Sequence, residues 1–199
     1  MSSQHALKMK IAPWALLAVS ASWGMAFVVM KDAIERQSVN NFLFSRFLLA
    51  VLVMLALKPS VVKKFDRDLV ITASSAGVFL GLGYIFQTLG LARTGAAITG
   101  FVTGLYVVIT PLLAYFFLKE KLNKLIWGCV FLATIGLGLL SIRGFSVGIG
   151  EMLVLASAFF FGAHIIALGK WSSGRDVYAM TVVQLAMCAL LSGIASIPE

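Results

Sequence analysis

The sequence predicts an all-α polytopic membrane protein with seven transmembrane helices. Three observations predict this fold class: an apolar composition, long uncharged runs, and an uneven distribution of basic residues along the chain. Of the 199 residues, 60% are hydrophobic and 12% are charged, and the mean hydropathy is +0.99. Such a composition is typical of a chain dissolved in lipid and leaves little room for a soluble domain.

The predicted spans follow from the uncharged runs in chain order. A helix needs ~18 residues or more to cross about 30 Å of hydrocarbon at 1.5 Å per residue. One run, Phe42 to Leu57, contains a single charge, that of Arg46. The other runs are uncharged and extend from Ile11 to Met30, Leu69 to Ala92, Thr94 to Leu118, Leu125 to Ile142, Met152 to Gly169 and Val177 to Pro198.

The basic residues indicate how the chain crosses the membrane. If the N-terminal tail, residues 1–10, is cytoplasmic, eleven of the 16 Lys and Arg residues lie on that side and four on the other. The positive-inside rule then predicts a multi-pass protein of the inner membrane with a cytoplasmic N-terminus. The net charge of +8 therefore reports topology, and nucleic acid is not a predicted partner.

Two stretches of the chain resemble each other at a constant offset of 138 residues, from Leu17 to Leu155 and from Trp23-Gly24 to Phe161-Gly162. The same offset relates Arg46 to Gln184. Five predicted spans separate the copies, and an odd number reverses their direction in the membrane. Inverted repeats are typical of secondary transporters, whose substrate site lies between the halves. We therefore expect a five-helix repeat in residues 11–142 and two helices of a second, inverted repeat in residues 149–199.

Polar residues at helical spacing identify candidates for a cavity. Residues three or four apart share a helix face, and two predicted spans each carry a polar face beside a ridge of small residues. The small residues are predicted to pack against neighbouring helices. The polar residues need a hydrogen-bond partner or a wet cavity, and both roles stay open. The cavity candidates are Trp23, Tyr84, Gln87, Thr103, Tyr106 and Gln184.

Arg46 is the strongest single candidate, because an arginine at the centre of a membrane costs ~2.5 to 3.5 kcal/mol. Three roles are open to its side chain. It can extend to the headgroups, pair with a protein group such as Glu151, or meet an anionic group of a substrate.

His164 is the remaining cavity candidate. It can form a structural hydrogen bond or carry a coupling proton. Pro111 and Glu120 are predicted to have structural or gating roles. Pro111 removes the hydrogen bond to the Val107 carbonyl and should loosen the helix there, and Glu120 opposes the dipole at a helix C-terminus.

Several segments together resemble the EamA-type branch of the drug/metabolite transporter superfamily. The resemblance implies two inverted five-helix repeats and the export or exchange of small polar metabolites, such as amino acids or related compounds, by alternating access. Trp23, Arg46, Pro111 and Glu120 lie at recurrent positions of that family. The segments are Ser22-Trp23-Gly24-Met25-Ala26-Phe27, Arg46-Phe47-Leu48-Leu49-Ala50, Thr110-Pro111-Leu112-Leu113-Ala114, Leu118-Lys119-Glu120-Lys121-Leu122 and Trp127-Gly128.

The family has ten spans, so we expect that this chain is truncated by three. A native seven-span protein that forms a homodimer and an inactive fragment are the alternatives. A membrane-embedded enzyme is disfavoured, because the spans offer no partnered nucleophile, paired aspartates or histidine-rich metal cluster. No phosphate-binding glycine loop occurs, so no cofactor is predicted. The expected partners are a small-molecule substrate, membrane lipids, and a coupling proton or counter-substrate.

Overall fold

The computed structural model describes residues 3–119, 123–141 and 148–198. These residues form helices joined by short turns and contain no strand, which confirms the all-α prediction. Glu120 lies outside the described residues. The helices are α1 (Ser3–Arg36), α2 (Val39–Leu57), a 3-10 helix (Pro59–Lys64), α3 (Arg67–Arg93), α4 (Ala96–Gly104), α5 (Tyr106–Leu118), α6 (Lys124–Ser141), α7 (Ile149–Trp171) and α8 (Val177–Ser196).

Within the described residues, six segments are long and apolar enough to cross a membrane. Helices α4 and α5 together form one of these segments, Ala96–Leu118. The fifth predicted span falls on α6, in which the shorter stretch Lys124–Ala133 is apolar. The fifth span, and with it the total of seven, therefore stays a prediction. The other five segments are Pro13–Arg36, Val39–Leu57, Arg67–Arg93, Ile149–Trp171 and Val177–Ser196.

Aspartates begin two of the helices. Asp66 precedes α3, and its side chain accepts a hydrogen bond of 2.7 Å from the Leu69 amide. Asp176 precedes α8 and accepts a bond of 2.9 Å from the Ala179 amide. Each carboxylate satisfies an amide that the helix itself leaves unpaired. In the turn before Asp176, Gly174 has a φ of 75°, a conformation that glycine adopts without steric cost.

Helix α3 lies at the centre of the bundle and packs most extensively against α7 and α8. Glycines of α3 allow the close approach, whereas Gly100 and Gly104 of α4, which the sequence predicts to pack against a neighbouring helix, line the cavity described below. A Cβ added to Gly77 would lie 3.0 Å from the Gln184 Cα of α8, and one added to Gly83 would lie 2.7 Å from the Phe161 ring of α7. The backbone at these positions has no room for a side chain.

Contacts along the helices give their relative directions. Gly90 and Gly83 of α3 face Val154 and Phe161 of α7, so these two helices are antiparallel. Helices α2 and α8 are also antiparallel and exchange hydrogen bonds near both ends. The Asn40 amide nitrogen donates to the Ala195 carbonyl at 3.2 Å, and the Tyr178 hydroxyl donates to the Met54 carbonyl at 2.7 Å.

The segment from α4 to α5 is interrupted at Leu105, six residues before Pro111. The Leu105 amide donates to the Val102 carbonyl at 3.1 Å, so the chain tightens to an i→i−3 bond at this point. Helix α5 continues through Pro111. The sequence predicts loosening at Pro111, and the structure instead places the interruption on its N-terminal side.

Candidate functional site

A cavity of about 860 Å³ lies between α1, α2, α3, α4, α7 and the start of α5. Its volume is typical of sites for small molecules. Seven of the eight cavity candidates from the sequence line it: Trp23, Arg46, Tyr84, Gln87, Thr103, Tyr106 and His164.

Gln184, the eighth candidate, lies outside this lining. Its side chain is buried, and the close approach of α8 to Gly77 of α3 holds it between the two helices. Arg46 and Gln184 therefore have different surroundings in the structure, although the 138-residue offset relates them.

A hydrogen bond joins the polar faces of α3 and α4 beside the cavity. The Gln87 amide nitrogen donates to the Thr103 hydroxyl at 3.1 Å, and both side chains are buried. The sequence left open whether such residues line a cavity or form structural hydrogen bonds, and these two do both. The bond uses one of the two Gln87 N–H donors and leaves its carbonyl oxygen as an acceptor.

The Arg46 guanidinium lies against two aromatic rings. Its central carbon is 5.4 Å from the centre of the Tyr84 ring and 5.6 Å from that of Phe47. Tyr84 in turn contacts Phe47 at 5.0 Å and Phe161 at 5.3 Å between ring centres. A guanidinium within about 6 Å of a ring centre is attracted by the π-electrons. Two rings thus contact the cation, and Phe161 packs against one of them, Tyr84.

The hydrogen-bond donors of Arg46 meet one protein acceptor in the part of the chain that the structure describes. Arg46 Nη1 lies 3.1 Å from the Met30 sulfur, a weak acceptor. The ion pairs found among the described residues do not include Arg46. Its side chain is exposed and lines the cavity, so a guanidinium with free donors faces the space between the helices.

Glu151, which the sequence offers as a partner of Arg46, lies elsewhere. Its carboxylate accepts a hydrogen bond of 2.6 Å from the Thr94 hydroxyl, where α3 ends and α7 begins. The same junction holds Lys31 of α1, whose ammonium donates to the carbonyls of Leu91 at 2.7 Å and Thr94 at 3.2 Å. These contacts hold the end of α3 and leave Arg46 without a carboxylate partner among the residues that the structure describes.

His164 lines the cavity on α7 and is buried. Its Nδ1 lies 3.0 Å from the Ala76 carbonyl of α3. A carbonyl can only accept, so Nδ1 carries the proton of this bond and Nε2 is the atom that can accept or bind a further proton. The ring therefore forms a structural hydrogen bond through Nδ1, and Nε2 can bind another partner.

Comparison with known proteins decides the family. Residues 10–142 match the model of the EamA-like transporter family, which is more than half of the chain. The chain belongs to the EamA-like transporter family. It is also 35% identical over 168 residues to a protein of Archaeoglobus fulgidus called an uncharacterized transporter. That match covers 83% of this chain and 51% of the relative, so the chain spans about half the relative's length. No solved structure matches significantly.

In this member of the EamA-like family, Pro111 lies in a well-packed part of α5. The Thr110 hydroxyl, one residue before Pro111, donates to the Tyr106 carbonyl at 2.6 Å. A Cβ added to Gly162 of α7 would lie 3.3 Å from Thr110 and from Leu113. Helix α7 therefore packs against α5 on both sides of Pro111 and keeps this stretch helical.

Ion pairs hold one end of the helix bundle, which we call the 3-10 end because it contains the 3-10 helix and the α7–α8 turn. Arg175 donates to Asp68 at 2.6 Å, and Lys64 pairs with Asp176. The hydrogen bond from Lys64 is the main reason why the pKa of Asp176 lies below its usual value. Both pairs connect the start of α3 and the 3-10 helix to the α7–α8 turn.

Sequence reasoning missed the aromatic support of Arg46. Phe47, Phe161 and Met30 are apolar residues of apolar helices, and nothing in their type separates them from residues that face lipid. One signal was available for Phe161, because the 138-residue offset pairs it with Trp23, and both residues line the cavity.

Proposed function

We propose that this chain acts as a secondary transporter that exports or exchanges small polar metabolites, such as amino acids or related compounds, by alternating access. One observation carries the proposal: a cavity of about 860 Å³ lies between helices of both predicted repeats and contains an arginine without a carboxylate partner among the described residues. A cavity between repeats is where such transporters bind substrate. Within it, Trp23, Arg46, Tyr84, Gln87, Thr103, Tyr106 and His164 are the proposed substrate-binding residues.

The contact between α2 and α8 supports an inverted-repeat arrangement. Asn40 and Tyr178 are related by the offset of 138, and each donates a hydrogen bond to a carbonyl near the far end of the other helix. Two related helices that cross antiparallel and exchange equivalent bonds are expected near a two-fold axis. We infer that residues 11–142 form the first repeat and that residues 149–199 begin the second.

The 3-10 end is proposed to face the cytoplasm. It gathers basic residues from two separate turns, which is the distribution expected of a cytoplasmic surface. This orientation places the N-terminus in the cytoplasm and requires α6, the fifth predicted span, to cross the membrane. We assign the chain to the inner membrane. The basic residues at this end are Lys58, Lys63, Lys64, Arg67, Lys170 and Arg175.

Reconstituted vesicles test the function. Purified protein in proteoliposomes is expected to exchange labelled metabolites with an internal pool, and Arg46→Ala is expected to slow the exchange of anionic and zwitterionic substrates at least tenfold. Arg36→Ala is the matched control, since Arg36 pairs with Asp32 on the exposed surface. Unchanged exchange of every such substrate by Arg46→Ala would contradict the role of Arg46.

The half-length match to the relative favours a second candidate, an inactive portion of a ten-span transporter. This candidate is supported if the 199-residue chain neither transports nor binds substrate while a longer chain does both. Transport by the 199-residue chain together with dimers in cross-linking would support a cavity completed by a second copy. Coupling to a proton through His164, or to a counter-substrate, is tested by imposing each gradient separately.

A further inference from the structure

The charge inside the cavity is one-sided. Among the described residues that line it, Arg46 carries a full charge and no aspartate or glutamate occurs. Glu151, at the start of α7, is occupied by Thr94. A ligand in this cavity therefore meets a permanent positive charge without a compensating carboxylate from the described lining.

The guanidinium is oriented as well as charged. The rings of Tyr84 and Phe47 support it at 5.4 and 5.6 Å, and the Met30 sulfur is its one described hydrogen-bond partner. An arginine has five N–H donors in a planar fork, which matches the two oxygens of a carboxylate. The support from the rings reduces the conformational freedom that Arg46 would lose on binding such a group.

The rest of the lining is mainly apolar and aromatic. Neutral acceptors are present, among them the Gln87 carbonyl oxygen, His164 Nε2 and several side-chain hydroxyls, but none of them carries a negative charge that would neutralise an ammonium group. A ligand ammonium close to Arg46 would also be repelled by the guanidinium, because the two groups carry the same charge. The aromatic residues that would contact the body of a ligand are Trp23, Phe27, Tyr84, Phe101, Tyr106 and Phe161.

We propose that the cavity selects an organic carboxylate with an apolar, preferably aromatic, body, and that it discriminates against the same molecule bearing an ammonium group. The inference rests on the proposed function, because it assumes that this cavity is the substrate site. It narrows the small polar metabolites proposed above to carboxylates without an amino group. Arg46 binds the carboxylate, and Phe47, which does not line the cavity, acts as a positioning residue for Arg46.

Three probes separate the two charges on one carbon skeleton: phenylpropionate has the carboxylate, phenethylamine has the ammonium, and L-phenylalanine has both. Equilibrium binding of each labelled probe is measured on the purified chain in nanodiscs, with empty nanodiscs as the blank for partition into lipid. Phenylpropionate is expected to bind at least tenfold more tightly than L-phenylalanine, and phenethylamine is expected to bind no better than to the blank.

Variants locate the preference. Arg46→Gln is expected to weaken phenylpropionate binding at least tenfold and to remove the preference over L-phenylalanine. Arg46→Lys keeps the charge without the fork and should retain the preference at lower affinity. Phe47→Leu should weaken phenylpropionate binding a few-fold and leave the amine unbound. Arg93→Gln is the control, because Arg93 donates to the Leu89 carbonyl and does not line the cavity.

The wild-type series alone can overturn the inference. L-Phenylalanine binding as tightly as phenylpropionate, or none of the three probes binding above the blank, would refute carboxylate selection even if a variant failed to fold. A preference that persists in Arg46→Gln would refute the assignment to Arg46. Exchange of other metabolites in proteoliposomes would still support the proposed function in each of these cases, so the two failures are distinguishable.

Discussion

Replacement of Gly90 by alanine should separate the two most closely packed helices of the bundle. An alanine Cβ at position 90 would lie 2.5 Å from Val154 Cγ2, 2.8 Å from the Gly150 carbonyl oxygen and 3.1 Å from the Val154 amide nitrogen. Carbon atoms pack best at about 3.5–4.0 Å, so the methyl group overlaps Val154 by about 1 Å. Two of the three atoms in contact belong to the backbone and cannot rotate away.

Val154 cannot yield either. It is fully buried, and a β-branched side chain in a helix has one strongly preferred rotamer. Helix α3 must therefore move away from α7 by about 1 Å, which opens the packed surface between them. Overpacking of this kind costs about 1–3 kcal/mol, whereas the change from glycine to alanine in a helix favours folding by up to about 1 kcal/mol.

Gly169→Ala provides the matched control, because Gly169 lies in α7 and a Cβ there would meet nothing within 4 Å. Both variants gain the same helix propensity, so their difference isolates the overpacking cost. We expect Gly90→Ala to be less stable than Gly169→Ala by about 1–3 kcal/mol in denaturant titrations in micelles, followed by circular dichroism. Equal stability of the two variants would refute the packing argument.

Three further changes test other contacts by the same titration. Gln87→Leu leaves the buried Thr103 hydroxyl without its partner and should lower the free energy of unfolding by about 1–3 kcal/mol. A double-mutant cycle with Thr103→Val should give a coupling energy of about 0.6 kcal/mol. A coupling energy of zero would contradict the hydrogen bond. Asp66→Ala removes the cap of α3 and should cost about 1 kcal/mol, whereas Asp66→Asn should not. Because the pKa of Asp176 is lowered mainly by its hydrogen bond from Lys64, its contribution is present above the unfolded pKa and is lost as the pH falls below about 4. Asp176→Asn should therefore flatten the acid limb of the stability curve.

The spans could be predicted from the sequence because the thickness of a bilayer sets the length of an apolar helix. The interruption at Leu105 could not. The sequence shows that Pro111 leaves a carbonyl unpaired, but the place where the helix adjusts depends on its neighbours. Contacts of α5 with Gly162 of α7 hold the residues around Pro111 helical, and the adjustment occurs in the preceding turn.

Most of the polar side chains that line the cavity could be predicted for a related reason, since polar side chains in a membrane must face a partner or water. The residues that hold Arg46 in place could not be predicted in the same way. Phe47 follows Arg46 on α2, but Met30 reaches the guanidinium only because α1 packs beside α2. Apolar residues facing lipid and apolar residues facing a cation look alike until the helices are packed.

The different positions of Arg46 and Gln184 follow from their charge. A neutral amide can be buried between two helices, and Gln184 lies in the contact of α8 with α3. A guanidinium in hydrocarbon costs ~2.5 to 3.5 kcal/mol, and burial without a counter-charge would cost more. Arg46 instead lines the cavity and has an exposed side chain. Two residues related by the offset of 138 thus have different surroundings, and the charge of Arg46 is the property that separates them.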